Sequence, residues 1–325
     1  MQTIANTLSL LGIGEAVTFE GLTIFPLLAE SHLCEKGYLV LDEAIRQGHA
    51  QVSEVSDSGT VSRLLFKNNG ARKVLLIDGD ELVGAKQNRI INLTILVPAD
   101  SELEIPVSCV EQGRWSRGGN EFRPSQNSMH FSTRARKVMQ VTDALRQSGD
   151  RDSDQSEIWR NLSNLKESLD VDSGTDAMSD MYDKLETELN RYRKAFQPVQ
   201  NQVGMVFAFH GKIQGLEIFD SNQACAHYMA RLVSSYALGI FSDDDKSTMI
   251  MKGDVENFIE KINNANFECF DAIGEGEDLR LSGEEVAGGA LVTGSHIVHL
   301  AAFDICDRKK HRTHRARHYY EGPLH

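Results

Sequence analysis

The hydrophobic period changes twice along this chain, which confines it to folds that group strands and helices in separate stretches. From Glu15 to about Trp115, short apolar runs follow one another: Val17–Leu27, Gln51–Val55, Val61–Phe66, Lys73–Ile77, Gln87–Val97 and Leu103–Val110. Asp57-Ser58-Gly59, Asn68-Asn69-Gly70, Asp78-Gly79 and Pro98-Ala99-Asp100 separate them. Such runs, punctuated by Gly, Asn, Asp and Pro, read as short antiparallel strands. One short helix, about Asp42 to Gln47, interrupts them. From about Ser132 to Gln197 the period becomes helical. Ile158, Leu162, Leu165 and Leu169 form one stripe, and Met178, Met181, Leu185, Leu189, Tyr192 and Phe196 another. A weaker stripe runs through Ala135, Val138, Met139, Thr142 and Leu145. Asp154 with Glu157 predicts a capped helix start, and Ser173-Gly174-Thr175 precede the next helix.

From Gly204 the pattern mixes. A hairpin is expected to turn at His210-Gly211, followed by a helix capped by Asp220 and Gln223, and a further helix after Asp254. Strands return at Phe267–Ile273, Leu279–Gly283, Gly289–Val292 and His296–Ile305. The grouping predicts an α+β fold. It divides into an antiparallel β-sandwich-like domain over 15–125, a helical segment over 126–200, a mixed part over 201–306 packed on the first, and a basic tail over 307–325.

Composition removes several function classes. With 34 basic and 47 acidic residues the net charge is −13, which opposes general binding to a phosphate backbone, so no nucleic-acid partner is expected. The five cysteines, Cys34, Cys109, Cys225, Cys269 and Cys306, form no CxxC, which argues against a zinc ribbon or a disulfide framework. Reduced thiols, the lack of a basic region ahead of an apolar stretch in Met1–Gly14, and the lack of a bilayer-length apolar run predict a cytoplasmic protein with no membrane partner. Gly12-Ile13-Gly14 opens no dinucleotide fingerprint, Gly84–Lys86 is no phosphate loop, and neither HExxH nor GxSxG occurs. Asp243-Asp244-Asp245 lacks the calcium-loop spacing, and His296 and His299 would face opposite sides of a strand. His311, His314 and His318 would share a face only if the tail were helical. No metal site is assigned, and no motif names a cofactor.

The informative stretch runs from Asp78 to Trp115: DGDELVGAKQNRIINLTILVPADSELEIPVSCVEQGRW. Strand alternation puts Gln87, Arg89, Ile91, Leu93, Ile95 and Val97 on one face and Lys86, Asn88, Ile90, Asn92, Thr94 and Leu96 on the other. The polar row Lys86, Asn88, Asn92 is either the wet face of a half-buried strand or a set of donors aimed at one ligand. Arg89 interrupts the apolar face, so it is expected at the core rim, paired with Glu81 or Glu111. Cys109 reads as a nucleophile or as a small buried hydrophobe; with no histidine before His130 downstream, the second is favoured. Arg114 and Trp115 could clamp an anionic, ring-bearing ligand or cover the core edge.

The stretch from Gly79 to Trp115 resembles a bacterial family of unknown function, the ADP-ribosylglycohydrolase (ARG) and rhodanese/phosphatase-superfamily-associated protein domain. The resemblance extends to LTIFPLL (Leu22–Leu28), LDEAI (Leu41–Ile45), the helix start Ser156–Trp159 and the strand pair from Phe207 to Gly215. It implies a setting in NAD and ADP-ribose metabolism, and transfers no catalytic assignment. On that analogy the ligand is a nucleotide-type small molecule. Lys86 and Arg114 hold its phosphates, Asn88 and Asn92 orient ribose hydroxyls, and Trp115 stacks on the base. Gln87, Arg89 and Cys109 complete the pocket, and Glu81 or Glu111 serves as general acid/base if there is turnover. The alternative is a non-catalytic interaction module in which the same residues form a structural polar network.

Overall fold

A computed structural model describes residues 2–29, 37–56, 59–115, 121–241 and 249–306. The basic tail, Asp243-Asp244-Asp245 and Cys34 lie outside the described residues. The fold is α+β, and in place of the expected sandwich the N-terminal strands close into a six-stranded barrel. The strands follow one another around it as Ser101–Cys109, Arg63–Asn68, Ala50–Glu54, Glu121–Ser128, Asp80–Gly84 and Arg89–Ile91. Two long strands cause the closure. Ser101–Cys109 pairs with Arg63–Asn68 through Pro106 and with Arg89–Ile91 from Val107 onward. Glu121–Ser128 likewise pairs with Ala50–Glu54 at its start and with Asp80–Gly84 along the rest. A strand that changes partner half-way curls its sheet, and two such strands join the short ones into a ring.

The expected continuous strand Gln87–Val97 breaks at Asn92–Thr94. Arg89–Ile91 stays in the barrel, whereas Ile95–Val97 joins Lys73–Leu76 and Tyr38–Val40 in a separate three-stranded sheet with one parallel pair. The break is held from outside: Lys137 Nζ donates to the carbonyls of Ile91 (3.2 Å) and Asn92 (2.7 Å).

A nine-stranded antiparallel sheet forms the other half of the molecule. Leu22–Ala29, read from the sequence with the N-terminal strands, hydrogen-bonds to Gln202–Phe209 in this sheet. The hairpin Gln202–Phe209/Lys212–Phe219 turns at His210 (φ 51°) and Gly211 (φ 65°), the left-handed pair that a two-residue turn between twisted strands requires. One face packs on helices Phe131–Ser148 and Asn222–Ala237 through Val138, Phe207, Tyr228, Tyr236 and Phe303. The other packs on Gln2–Ser9 and Lys252–Asn263 through Ile4, Leu8, Leu216, Val255 and Phe258. Among the described residues no helix is long and apolar enough to cross a membrane.

Phe131–Ser148, the weakest stripe in the sequence, spans 18 residues and is terminated by Gly149 at φ 78°. Its stripe is faint because Arg134 and Lys137 belong to the buried face. Asp154 caps helix Gln155–Ser168 by accepting from the Ser156 and Glu157 amides. Its own amide is taken by Gln140 (3.0 Å), so the preceding helix supplies the reciprocal half of the cap. Ser221, rather than Asp220, caps Asn222–Ala237.

Candidate ligand site at one end of the barrel

Cross-strand register fixes which motif residues look inward. Arg89 stands opposite Leu82 on one neighbour and Cys109 on the other, on the face that also carries the core residues Ile91 and Val107. A guanidinium is thus placed inside one end of the barrel. Arg89 is fully buried and pairs with neither Glu81 nor Glu111, contrary to the expectation from the sequence. Its Nη1 donates to Gln87 Oε1 (3.1 Å) and, at the edge of range, to the Asn88 carbonyl (3.5 Å). Its Nε and Nη2 are buried with no hydrogen-bond partner among the described residues. Burial pushes its pKa down, against the opposing charge of Glu54. The Trp115 ring, 51% exposed, covers this end at 5.8 Å from the Arg89 guanidinium carbon and 5.3 Å from Lys86 Nζ.

Cys109 donates to Gln87 Oε1 (3.1 Å) and to the Glu111 carbonyl (3.2 Å). Burial raises its pKa in spite of the nearby Glu111 backbone and Arg89, which keeps it a thiol rather than the reactive thiolate. Glu111 and Arg114 form a two-pronged ion pair, Nε–Oε1 2.8 Å and Nη2–Oε2 2.7 Å. The same two side chains tie down the turn before Arg89. Arg114 donates to Ala85 O (2.8 Å) and Asn88 Oδ1 (3.1 Å), and Glu111 accepts from the Asn88 amide (3.0 Å). Burial would raise the Glu111 carboxyl, but Arg114 and the Asn88 amide hold it below its ordinary range. Both oxygens are engaged, so Glu111 is poorly placed to carry a proton.

The structure therefore gathers Lys86, Gln87, Asn88, Arg89, Cys109, Glu111, Arg114 and Trp115 at one end of the barrel. Glu81 and Asn92 lie elsewhere. Glu81 is on the outward face of its strand, accepting from Ser125 Oγ (2.8 Å) and Asn127 Nδ2 (3.1 Å), and burial pushes its carboxyl up to about 7. Asn92 accepts from Ser108 Oγ (2.6 Å) and donates to the Arg151 carbonyl (3.0 Å), joining the strand break to the loop before helix Gln155–Ser168. The row Lys86, Asn88, Asn92 is not a wet face: all three are buried. Asn88 is covered by Arg114, and Asn92 by Ser108 and Arg151.

Sequence reasoning missed Glu54. Its register partner is Leu64, and it shares the inward face of Ala50–Glu54 with Val52. Both of its carboxylate oxygens are buried without a hydrogen-bond partner among the described residues. Gly59 (φ 70°) separates it from Lys86: a Cβ there would lie 2.9 Å from Lys86 Nζ and 3.0 Å from Glu54 Oε2. The signal was ambiguous, because Val52 and Val55 are out of phase and the run Gln51–Val55 does not say which parity is inward.

Also missed is a buried ion cluster under helix Phe131–Ser148. Asp78 accepts from Arg134 (3.4 Å) and Lys137, Arg134 reaches Glu217 (2.6 Å), and Glu217 meets His299 Nε2 (3.0 Å). The opposite ring nitrogen of His299 pairs with Thr94 Oγ1 (2.8 Å). Burial opposes ionisation of Asp78, yet Lys137 and Arg134 hold its carboxyl below the ordinary value, while burial lowers Lys137 to about 8. A groove of about 700 Å³ lies elsewhere, between helix Lys252–Asn263 and the strand ends at Lys212 and Val286, and it contains none of the motif residues.

The family model described as the ARG and Rhodanese-Phosphatase-superfamily-associated Protein domain matches residues 11–303. The chain belongs to this family. The match spans the barrel, every helix after Gln2–Ser9 and almost all of the nine-stranded sheet, so the family's unit is this whole arrangement and not the barrel alone. The family is of unknown function, and its description is one of association. Comparison with curated proteins and with solved structures finds no match.

Proposed function

We propose that this member of the family binds an anionic, nucleotide-type small molecule of the NAD or ADP-ribose kind at the Arg89 end of the barrel. The observation that carries the reading is a fully buried guanidinium with two unpartnered nitrogens. Leaving buried donors unmade costs on the order of 1–3 kcal/mol, more when they are charged, and a bound anion offsets that cost. Arg89 with Lys86 takes the phosphate, and Trp115 stacks on the base. Asn88, Glu111 and Arg114 act as the frame that holds the Lys86-Gln87 turn, rather than as acid/base or phosphate clamp. With Cys109 a buried thiol, Glu111 pinned and Glu81 outside the barrel, the reading is one of binding.

Thermal shift with AMP, ADP-ribose, NAD and pyrophosphate tests it. A ligand of the native state at a hundredfold its Kd adds about 2.7 kcal/mol of stability. A rise in melting temperature with the adenylates is expected, abolished in Arg89→Met and reduced in Lys86→Ala. No rise with any of the four, or a rise unchanged in Arg89→Met, overturns the proposal.

A further inference from the structure

The barrel end holds a second unmatched group, and its position relative to Arg89 narrows the ligand. The strands Ala50–Glu54 and Arg89–Ile91 are three places apart in either direction around the six-stranded ring. Glu54 and Arg89 therefore project from opposite walls. The Glu54 charge is felt by Arg89, yet no hydrogen bond joins them: the carboxylate keeps both oxygens unpartnered and the guanidinium keeps Nε and Nη2 unpartnered. Opposite charges buried in a shared space normally close into a fork, as Glu111 and Arg114 do a few residues away. Here the ring holds the two apart.

We infer that Glu54 recognises two adjacent hydroxyls of a phosphorylated sugar whose phosphate lies on Arg89. The inference rests on the anion site proposed above. A carboxylate offers two acceptor oxygens at the spacing of a vicinal diol and no donor, so its complement is a pair of O–H groups or an ammonium. Lys86 Nζ already faces the same Gly59 position as Glu54 Oε2, so a second cation there would be repelled and neutral hydroxyls are favoured. Val52, Leu64, Phe66, Leu82, Ile91, Val107 and Phe122 fill the barrel interior and bar a ligand from going deeper. The sugar lies across the end, under the half-exposed Trp115 ring.

Calorimetric titration of the full chain with AMP, 2′-deoxyAMP and pyrophosphate separates this inference from the reading beneath it. The wild type is expected to bind AMP at least tenfold more tightly than 2′-deoxyAMP. Glu54→Gln is expected to erase that preference while binding pyrophosphate as well as the wild type or better, since a negative charge opposite the anion has gone. Glu54→Asp, which keeps the charge and withdraws it by one methylene, should also lose the preference, and a melting curve on each variant confirms the fold. Equal wild-type affinity for AMP and 2′-deoxyAMP, or a preference that survives in both variants, overturns the role of Glu54 and leaves the anion site standing. Failure of all three compounds to bind overturns both.

Discussion

The end of the barrel and the cluster under helix Phe131–Ser148 use the same residue types to opposite effect. In the cluster, Arg134 meets Glu217 and Asp78, Lys137 meets Asp78, His299 meets Glu217, and none of these five side chains leaves a buried polar atom unpartnered. At the barrel end, Arg89 is as deeply placed and Glu54 is half-buried with its oxygens covered, and each leaves two buried atoms without a partner among the described residues. Both regions bury charge, which is costly in a low-dielectric interior. The difference teaches where the compensation comes from: within the chain in the cluster and, on the function proposed above, from a ligand in the barrel. The cluster has a further task, joining the start of the barrel motif at Asp78 to the nine-stranded sheet at Glu217 and His299.

The sharpest test of this contrast is a matched pair of substitutions. Arg134→Met leaves Asp78 and Glu217 as buried carboxylates short of a counter-charge, and is expected to cost about 3–5 kcal/mol of stability. Arg89→Met removes a guanidinium whose acceptors among the described residues are Gln87 Oε1 and the Asn88 carbonyl, and is expected to change stability by less than about 1 kcal/mol, or to raise it. Urea unfolding of the two variants decides. Equal losses would mean that Arg89 is structural and would break the comparison.

Glu81 is a third case, a buried acid that meets its environment as a neutral group. Burial raises it from 4.5 to about 7, so the folded protein holds its proton more tightly than the unfolded chain does. That contribution is in full force below about pH 4.5 and is lost as pH rises through about 7, a difference on the order of 3 kcal/mol. Asp80, raised by burial from 3.8 to about 6, works in the same direction over a lower window. Asp42 runs the other way: His227 and Arg231 overcome its burial and hold it at about 2, so its contribution is lost only as pH falls below about 3.8. Glu81→Gln is expected to flatten the fall in melting temperature between pH 5 and 7. An undiminished slope would place the titration elsewhere.

Legibility followed the same division. The hairpin at His210-Gly211, the Asp154 cap and the stripes of helices Gln155–Ser168 and Glu186–Ala195 depend on neighbours within a few residues, and the local pattern carries them. Barrel closure depends on Ser101–Cys109 and Glu121–Ser128 each changing partner, a long-range event with no local mark. The break at Asn92–Thr94 is fixed by Lys137 from a distant helix, so the run Gln87–Val97 is two strands in two sheets, although its alternation still sorts Ile91, Leu93, Ile95 and Val97 into one core and Ile90 and Leu96 into another. At the site, the motif from Lys86 to Trp115 was visible as a concentration of polar residues at strand positions. Arg89 was noticed because it broke an apolar face, whereas Glu54 and the Arg134 cluster required knowledge of which parity faces inward.

The frame and the ligand groups can be separated by a smaller effect. Glu111→Gln preserves shape and keeps one prong of the fork, so a loss of about 1–2 kcal/mol is expected. Because the Lys86-Gln87 turn then loosens, AMP affinity should fall together with stability. A loss of affinity with unchanged stability and a shifted pH profile would instead return Glu111 to a role in proton transfer.

The smallest effect on the fold is expected at Trp115, and it asks what covers the unpaired arginine. The ring is half exposed and stands over two cations at 5.3 and 5.8 Å, contacts worth about 0.5–1 kcal/mol at such a site. Trp115→Ala should therefore change the unfolding free energy by less than about 1 kcal/mol. Its effect on ligands depends on which face of the ring works. A ring that stacks on a base contributes about 1–3 kcal/mol to AMP and little to pyrophosphate, so the two affinities should separate in the variant. A ring that only shields Arg89 from water would weaken both equally, because the anion's attraction to the guanidinium is stronger where water is excluded. The ratio of the two losses thus tells whether the exposed aromatic belongs to the recognition of the ligand or to the dielectric of the arginine beneath it.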